Sequence, residues 1–243
     1  MRTVRPSIAE PLAAAAVEPA TQTDKAYGAL RRAILRCEFT PGARLRVEAL
    51  GQQLALSSSP VREALSRLAG QGLVHAIENR GFRVAPLTVA GLADLVRVRL
   101  IIEREALREA IAHGDDAWEA AVVAAGHALA LADRRVGNGP VALDEDWSSR
   151  HRAFHLALYA GARSPTLQGV VADLFDQAER YRRFSALHRQ APRGKRGEHA
   201  ALQQAVLARD AERACHLLAG HVSATERHVS SALMSMGSDD LLS

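Results

Sequence analysis

Four histidines in the second half of the chain are the residues best suited to bind a metal ion. His151 and His155 are four residues apart, so on a helix they lie one turn apart on the same face. His199 and His221 follow in two later segments. Neutral imidazoles from several helices can surround a divalent cation, because each presents a nitrogen lone pair. Ten histidines in 243 residues also give such a pair by chance, and the same side chains could simply pack in a core.

The elements that would position these histidines are predicted to be the helices of an antiparallel α-helical bundle. Beyond residue 88 the apolar residues recur at three- and four-residue spacing, and no β-rich run interrupts them. The predicted helices cover residues 88–113, 117–135, 146–162, 164–187, 197–208 and 210–234. Thr88, Ser164 and Asp210 are predicted N-caps, because their side-chain oxygens can accept hydrogen bonds from the first free N–H groups.

Asp24 is the predicted N-cap of a first helix that extends to about residue 37. Residues 50–73 then predict a helix-turn-helix, in which two short amphipathic helices are joined by a polar turn. Ser57, Ser58 and Ser59 supply N-cap hydroxyls for the second helix, and Pro60 falls in its first turn, where a missing N–H is tolerated. The start of such a helix is the positive end of its dipole, so phosphate is its natural partner. The pattern therefore favours contact with a nucleic acid.

Two short β-prone runs, residues 73–77 and 82–84, follow this unit and predict a hairpin. The four residues between them form a tip that contains Arg80 and Gly81. A helix-turn-helix followed by a basic hairpin is a winged helix, and a small helical bundle with a chance hairpin is the alternative. The predicted DNA-contacting residues are Arg46, Ser57, Ser58, Ser59, Arg62, Arg67, Arg80 and Gly81.

The basic charge of the chain is concentrated in the predicted winged helix. Residues 24–88 contain ten Lys/Arg against five Asp/Glu, whereas residues 89–243 contain nineteen against twenty. A local positive excess is what the neutralisation of DNA phosphates requires. The expected parts are a mobile tail at 1–23, the winged helix at 24–88, an all-α domain at 89–235 and a flexible tail at 236–243.

The cysteines and the hydropathy pattern indicate a cytoplasmic protein. Cys37 and Cys215 are lone residues far apart, which fits a reducing compartment. No apolar run reaches the roughly 18 residues that a membrane-spanning helix requires. The first residues also lack the charged start, apolar block and cleavage site of a signal peptide. No membrane partner is therefore expected.

Residues 26–88 resemble the DNA-binding domain of GntR-type transcription regulators. The matching motifs are LRRAILRCEFTPG at 30–42, SPVREALSRL at 59–68, GLV at 72–74 and RGFRV at 80–84. The spacing from PVREAL to RGF is more specific than a generic helix-turn-helix pattern. The resemblance implies a double-stranded DNA partner. Many relatives carry arginine where this chain has Glu48 and Ser58, so the operator of a typical relative is not transferred to it.

Residues 89–235 resemble the all-helical FCD ligand-binding domain of the FadR-like GntR subfamily. The matching motifs are VRLIIEREAL at 98–107, HRAFHLAL at 151–158, GEHAALQQAVLARDAERA at 197–214 and AGHV at 219–222. In metal-binding members the first ligand is usually an aspartate, at the position that His151 occupies here. The other ligand positions match His155, His199 and His221. An all-imidazole set favours zinc, with nickel as the second choice, over magnesium or calcium.

The resemblance also implies a small-molecule effector and a homodimer. Family members bind small carboxylates against the metal and nearby arginines. Arg99 matches a recurrent arginine on the first bundle helix, and Arg227 is a second candidate; either could instead be solvated or paired with Glu103 or Glu226. The expected function is a DNA-binding repressor that acts as a homodimer on a palindromic operator and responds to an organic acid.

Two other functions are weighed against this one. A helical metalloenzyme is disfavoured, because no HExxH or other general-base pattern accompanies the histidines, and the chain is not expected to be an enzyme. A regulator whose bundle binds no metal and senses an acyl chain or a partner protein is the other alternative.

Overall fold

The computed structural model describes residues 20–78, 80–136, 143–188 and 197–235. Within these ranges the chain forms two units, each with its own hydrophobic core. We call residues 22–84 the N-terminal unit and residues 89–235 the helical unit. The fold is mostly helical with a small antiparallel sheet, so the predicted fold class is confirmed.

The N-terminal unit is a winged helix, as predicted. Its elements are α1 (Gln22–Leu35), β1 (Arg44–Leu45), α2 (Val47–Leu54), α3 (Ser58–Gly70), β2 (Val74–Ile77) and β3 (Gly81–Val84). The sheet has the order β1-β3-β2, with Val74 opposite Val84 and Ile77 opposite Gly81. Strand β1 was not predicted, because two residues are too short to show an alternating pattern.

The first helix begins earlier than predicted. Asp24 was the predicted N-cap, but Thr21 holds that position: its side-chain oxygen accepts from the Asp24 N–H at 3.1 Å, and the Asp24 carboxylate accepts from the Thr21 N–H at 3.3 Å. This reciprocal capping box satisfies N–H groups that a helix start would leave free. Residues 22 and 23, predicted as tail, therefore belong to the N-terminal unit. Residues 1–19 and 236–243 of the predicted tails lie outside the described residues.

The core of the N-terminal unit packs against the buried face of α3. Leu30 and Ile34 of α1 pack with Leu65 and Leu68 of α3 and with Phe82 of β3, and all five are buried. Each buried leucine or isoleucine side chain contributes roughly 1.5–3 kcal/mol relative to exposure. The start of α3 is left at the surface, where it can meet a partner.

The turn between α2 and α3 depends on a glycine. Ala55 has a left-handed backbone with a φ of 54°, and the Leu56 N–H then bonds to the Gly51 carbonyl at 2.9 Å. A Cβ on Gly51 would lie 2.8 Å from the Leu56 carbonyl oxygen, which is too close for a side chain. The glycine thus allows the sharp change of direction that exposes the start of α3.

The helical unit contains the six helices that were predicted. They are α4 (Val89–His113), α5 (Asp116–Val136), α6 (Glu145–Tyr159), α7 (Pro165–Leu187), α8 (Glu198–Leu207) and α9 (Ala211–Ser235). The side chains of Thr88 and Ser164 cap α4 and α7 as predicted, and Asp210 accepts from the Arg213 N–H at 3.0 Å. Among the described helices, none combines the length and apolar character needed to span a membrane.

Helix α7 lies against the N-terminal unit, and the contact surface between the two units, which we call the seam, is largely polar. Buried Asp176 of α7 pairs with Arg31 of α1 and with Arg152 of α6, the latter at 2.8 Å. Gln71, which follows α3, donates to Asp173 at 2.9 Å. A single helix therefore contacts both the winged helix and the bundle.

The same helix also holds the segment that joins the two units. Arg180 donates to the Ala85 carbonyl at 2.6 Å, and the Tyr181 hydroxyl accepts from the Thr88 N–H at 3.4 Å. At the other end of α7, the Arg163 N–H donates to a Glu109 carboxylate oxygen at 3.1 Å. Helices α4 and α7 are therefore antiparallel neighbours along their length.

Candidate functional site

The four predicted histidines converge at one point inside the helical unit. His151 and His155 come from α6, His199 from the first turn of α8 and His221 from α9. One ring nitrogen from each lies within 4.8 Å of the others. Four nitrogens at about 2.1 Å from a zinc ion would be separated by about 3.4 Å, so a small inward movement is enough to complete a tetrahedral set.

Unsatisfied nitrogens indicate that this cluster is more than packing. Both ring nitrogens of His155 and Nδ1 of His151 are buried without a hydrogen-bond partner. A buried polar atom left unpaired costs about 1–3 kcal/mol, which a core would avoid by using an apolar residue. A divalent cation would use one nitrogen lone pair from each ring. The donor set therefore fits a metal ion.

The electrostatics keep the histidines in the form that binds metals. Burial lowers the pKa of His151 well below 6.5, and the positive charge of Arg182 lowers it further. Burial and the neighbouring His221 and His199 lower the pKa of His155 well below 6.5 in the same way. Neutral imidazoles at pH 7 leave their nitrogen lone pairs available to a cation.

A carboxylate outside the cluster orients one of its rings. His221 Nδ1 lies 3.0 Å from Glu198 Oε2, so the ring can donate to that oxygen and turn Nε2 towards the other histidines. Such a carboxylate also raises the basicity of the imidazole. The role of Glu198 was not predicted. Its position directly before His199 was the available signal, but pairing with His221 depends on how α8 and α9 pack.

A cleft on one side of the histidines is lined by two arginines, each neutralised by a glutamate. Arg99 Nε donates to Glu103 Oε1 at 2.5 Å, and Glu103 also accepts from the Tyr159 hydroxyl at 2.7 Å. Arg182 pairs with Glu179. The free volume is about 20 Å³, which holds about one water molecule. The cleft is closed by its own salt bridges.

The candidate effector arginines differ in their surroundings. Arg99 is buried in the cleft and paired with Glu103, one of the two alternatives given by the sequence. Arg227 is exposed on α9 and is not among the residues that line the cleft. Arg182 lines the cleft but was not predicted, because nothing in its sequence context separates it from a solvated arginine.

A larger cavity lies on the His199 side of the cluster. Its volume is about 580 Å³, and it is lined by Leu129, Phe154, Gln203 and Arg134 among others. The lining is mostly apolar, so this space suits the uncharged part of a small molecule better than a carboxylate. The histidines thus separate a small, charged cleft from a roomy, apolar cavity.

The exposed start of α3 presents the predicted DNA-contacting residues. Ser57 is the N-cap residue, but its side chain makes no capping hydrogen bond, contrary to the prediction. Ser58, Ser59 and Arg62 are exposed beside it, and Arg46 is exposed before α2. This surface carries hydroxyls, guanidinium groups and the positive end of a helix dipole, all of which bind phosphate.

The tip of the wing has a geometry that only glycine adopts easily. Gly81 has a φ of +89°, and a Cβ there would meet no atom within 4 Å. The backbone conformation, and not lack of space, therefore requires the glycine. Arg80 beside it is exposed, and its carbonyl accepts from Arg44 at 3.3 Å, which ties the tip to β1.

Arg67 has a structural role that was not predicted. Its Nη1 lies 2.9 Å from Asp24 Oδ1, and its guanidinium carbon lies 4.3 Å from the centre of the Tyr27 ring. The hydrogen bond from Arg67 lowers the pKa of Asp24. These contacts fasten α3 to α1. DNA contact by Arg67 stays a prediction, and it would compete with the bond between Arg67 and Asp24.

Replacement of Arg62 by alanine is expected to weaken operator binding by about 1–3 kcal/mol, because Arg62 is exposed in the first turn of α3. Fluorescence anisotropy with a labelled operator measures the change. Arg67→Ala is the matched comparison on the same helix, and a smaller loss is expected because its side chain is held by α1. Wild-type affinity of Arg62→Ala would mean that the exposed start of α3 is not the DNA-reading surface.

Comparison with known proteins assigns both units. Residues 22–84 match the family described as bacterial regulatory proteins, gntR family, and residues 94–224 match the FCD domain. The regulator BphR of Paraburkholderia xenovorans is 40% identical over 196 residues, covering 81% of this chain and 80% of BphR. The transcriptional repressor GlaR of Escherichia coli is 38% identical over 200 residues, covering 81% and 90%.

Solved structures of the same fold cover both units together. The structure of E. coli McbR/YncC has a TM-score of 0.71 at 22% identity and covers 89% of this chain and 99% of its own. A regulator from Rhodococcus sp. RHA1 has a TM-score of 0.65 at 26% identity, covering 87% and 98%. The arrangement of a winged helix before a helical bundle is therefore shared with these proteins.

Proposed function

We propose that this chain, which belongs to the gntR family of bacterial regulatory proteins and carries an FCD domain, is a repressor controlled by a carboxylate effector. The chain is a transcription regulator and not an enzyme. The finer proposal places it in the FadR-like subfamily, with the effector bound through a divalent metal at the four histidines. The observation that carries it is the convergence of the four histidines, of which His151 and His155 are buried with unpaired ring nitrogens.

Zinc is the metal that the donor set favours, and nickel is the second choice. Four imidazoles are borderline ligands, which suit these ions better than the oxygen-seeking magnesium and calcium ions. His151 replaces the aspartate usual in the family, which removes one negative charge from the site. A zinc ion there keeps its full double charge and attracts an anion more strongly.

The charge balance of the cleft makes effector binding depend on the metal. Arg99 and Arg182 are already neutralised by Glu103 and Glu179, and the lowered pKa values of His151 and His155 keep these two rings uncharged. Without a metal, a carboxylate entering the cleft would meet no net positive charge. With a divalent ion the local charge is about +2, and a carboxylate can bridge the metal and Arg99.

The experiment is a thermal-shift screen of C4 to C6 hydroxy and dicarboxylic acids, with zinc and with a chelator. An acid that binds only with zinc is expected to raise the melting midpoint in the zinc arm alone; at one hundred times its Kd it contributes about 2.7 kcal/mol. Purified protein is also analysed for bound metal. Absence of zinc binding, or shifts that persist in the chelator, would favour the metal-independent sensor.

We also propose that the protein acts as a homodimer through one face of α4 and α7. Ile101 is 64% exposed and Val170 is 40% exposed, although both are large apolar residues. The antiparallel pairing of the two helices places them at the same level of this face. A second copy would cover them, and two winged helices related by a two-fold axis suit a palindromic operator.

Ile101→Glu is expected to shift the protein from dimer to monomer and to weaken operator binding, because a charge would be buried in the interface. Sedimentation velocity measures the first effect and nuclease protection the second. Val123→Glu, on an exposed part of α5, is the matched control and should remain dimeric. A monomeric wild type with an asymmetric footprint contradicts the proposal.

A further inference from the structure

A row of alternating charges runs from the histidine cleft to the N-terminal unit. Arg182, which lines the cleft, pairs with Glu179, and Glu179 Oε1 accepts from Arg183 Nε at 2.9 Å. Arg183 Nη1 donates to Glu145 Oε1 at 2.6 Å, and Glu145 Oε2 lies 3.1 Å from Arg36 Nη2. Arg36 is the C-cap residue of α1. The row therefore joins α7, α6 and the first helix of the winged helix.

Among the described residues, the other arginine of the cleft makes its hydrogen bond and ion pair outside this row, although the charge of Glu179 also acts on it. Arg99 pairs with Glu103, and Glu103 is held on its other oxygen by the Tyr159 hydroxyl of α6. All three groups lie inside the helical unit and are buried. A change at Arg99 is therefore absorbed within the bundle, whereas a change at Arg182 alters a pair that reaches the seam.

Arg182 is placed where it would meet a ligand at the histidines. Its guanidinium carbon lies 4.9 Å from the centre of the Trp147 ring, and Trp147 stacks on His151 with ring centres 4.6 Å apart. The cleft has about 20 Å³ of free volume, less than a carboxylate group needs. A carboxylate entering there must displace a side chain. The guanidinium groups of the arginines can release the carboxylate that they bind and bind the entering one in its place.

We propose that Arg182 is the ligand-responsive residue of this site: it exchanges Glu179 for a carboxylate of the effector. The proposal rests on the proposed function for the existence of that effector. Glu179, once released, has both oxygens available to Arg183 and draws it away from Glu145. Glu145, released in turn from Arg183, has both oxygens available to Arg36 and binds it more tightly. Effector binding in this way tightens α1 against the helical unit.

A second tie across the seam keeps the units attached while this happens. Asp176 is buried and binds both Arg31 of α1 and Arg152 of α6. None of these three residues lines the cleft. The seam thus has a fixed point at Asp176 and a responsive point at Glu145, which would let the winged helix change its orientation without separating.

A double-mutant cycle in the full chain, with neither metal nor acid added, tests the proposal. Arg182→Gln takes the arginine from Glu179, as the effector would. It is expected to lower amide exchange in residues 29–37 about two- to fivefold, the range set by an exposed ion pair, and to change operator affinity by a similar factor. In a Glu145→Gln background it should cause no further change.

The matched background is Asp146→Asn. Asp146 is the next residue of α6, its side chain is as exposed as that of Glu145, and it pairs with Arg150 inside the helical unit. Arg182→Gln is expected to act in this background as it does in the wild type. Urea midpoints and circular dichroism of every variant check the fold.

Two results would overturn the proposal. The first is an Arg182→Gln variant with wild-type exchange in α1 and wild-type operator affinity. The second is an equal effect of Arg182→Gln in both backgrounds, which would assign the coupling to Asp176 or to general destabilisation. If Arg182→Gln does not fold, Arg182→Lys replaces it; lysine keeps the charge but loses the fork, so a smaller change in the same direction is expected. Since no metal or acid is used, failure of the metal analysis leaves this result unaffected.

Discussion

Replacement of His155 by leucine is expected to stabilise the metal-free protein and to abolish zinc binding. His155 is 1% exposed, and neither ring nitrogen has a hydrogen-bond partner. Leucine removes the cost of burying these atoms, so unfolding in urea with a chelator should require about 1–3 kcal/mol more than in the wild type. Elemental analysis after zinc loading measures the bound metal. The zinc affinity is expected to fall by well over the 10–100-fold that is lost when a residue supporting a metal ligand is changed.

The same variant separates a metal site from a packed core. With saturating zinc the order of stability should invert, because only the wild type gains binding free energy in the folded state. His127→Leu, at an exposed position of α5, is the control and should change neither quantity. If His155 only packs in the core, leucine would lower the stability with and without zinc, and the order would not invert.

The metal-free protein is expected to lose stability steeply as the pH falls below 6.5. The pKa values of His151 and His155 are well below 6.5 in the folded state, so between those values and 6.5 the unfolded chain binds protons that the folded chain does not. Each histidine then lowers the free energy of unfolding by about 1.4 kcal/mol per pH unit, or up to about 2.7 kcal/mol for both. The stabilisation contributed by the two neutral histidines is fully present above pH 6.5.

Urea unfolding between pH 7.5 and 5, with a chelator, measures this dependence. His155→Leu removes one of the two groups, so its slope should be about half that of the wild type. His75→Gln, on the exposed face of β2, should leave the slope unchanged. Bound zinc should move the loss to lower pH, since protons must then displace the metal. Equal slopes in wild type and His155→Leu would contradict the assigned protonation.

The helices and the histidine site could be predicted because their signals are local. Apolar spacing located the six bundle helices. Thr88 and Ser164 cap two of them, α4 and α7, through bonds to residues three positions later. His151 and His155 share a helix face by spacing alone, and His199 and His221 were added as imidazoles from two later helices. The family resemblance then matched these four positions to metal-ligand positions. These signals need no knowledge of how the helices pack.

The parts that were missed depend on tertiary contacts. Glu198 orients His221 from another helix, and Arg67 is bound by Asp24, which is 43 positions earlier in the chain. The first helix start was misplaced for a local reason: Thr21 and Asp24 are both good caps, and the reciprocal bonds select the earlier one. Sequence reveals which residues can pair, but the packed helices decide which of them do.

The polar seam has a consequence for how salt affects this regulator. Added salt weakens phosphate contacts, and the slope of log affinity against log salt is commonly read as a count of them. The Arg36–Glu145 pair is exposed and within reach of the same screening, whereas buried Asp176 is largely protected from it. Through the role proposed for this pair, ionic strength is expected to act on the orientation of the winged helix as well as on its hold on DNA. The salt slope measured for this chain would therefore give a number of displaced ions that is larger than the number of phosphates the chain contacts.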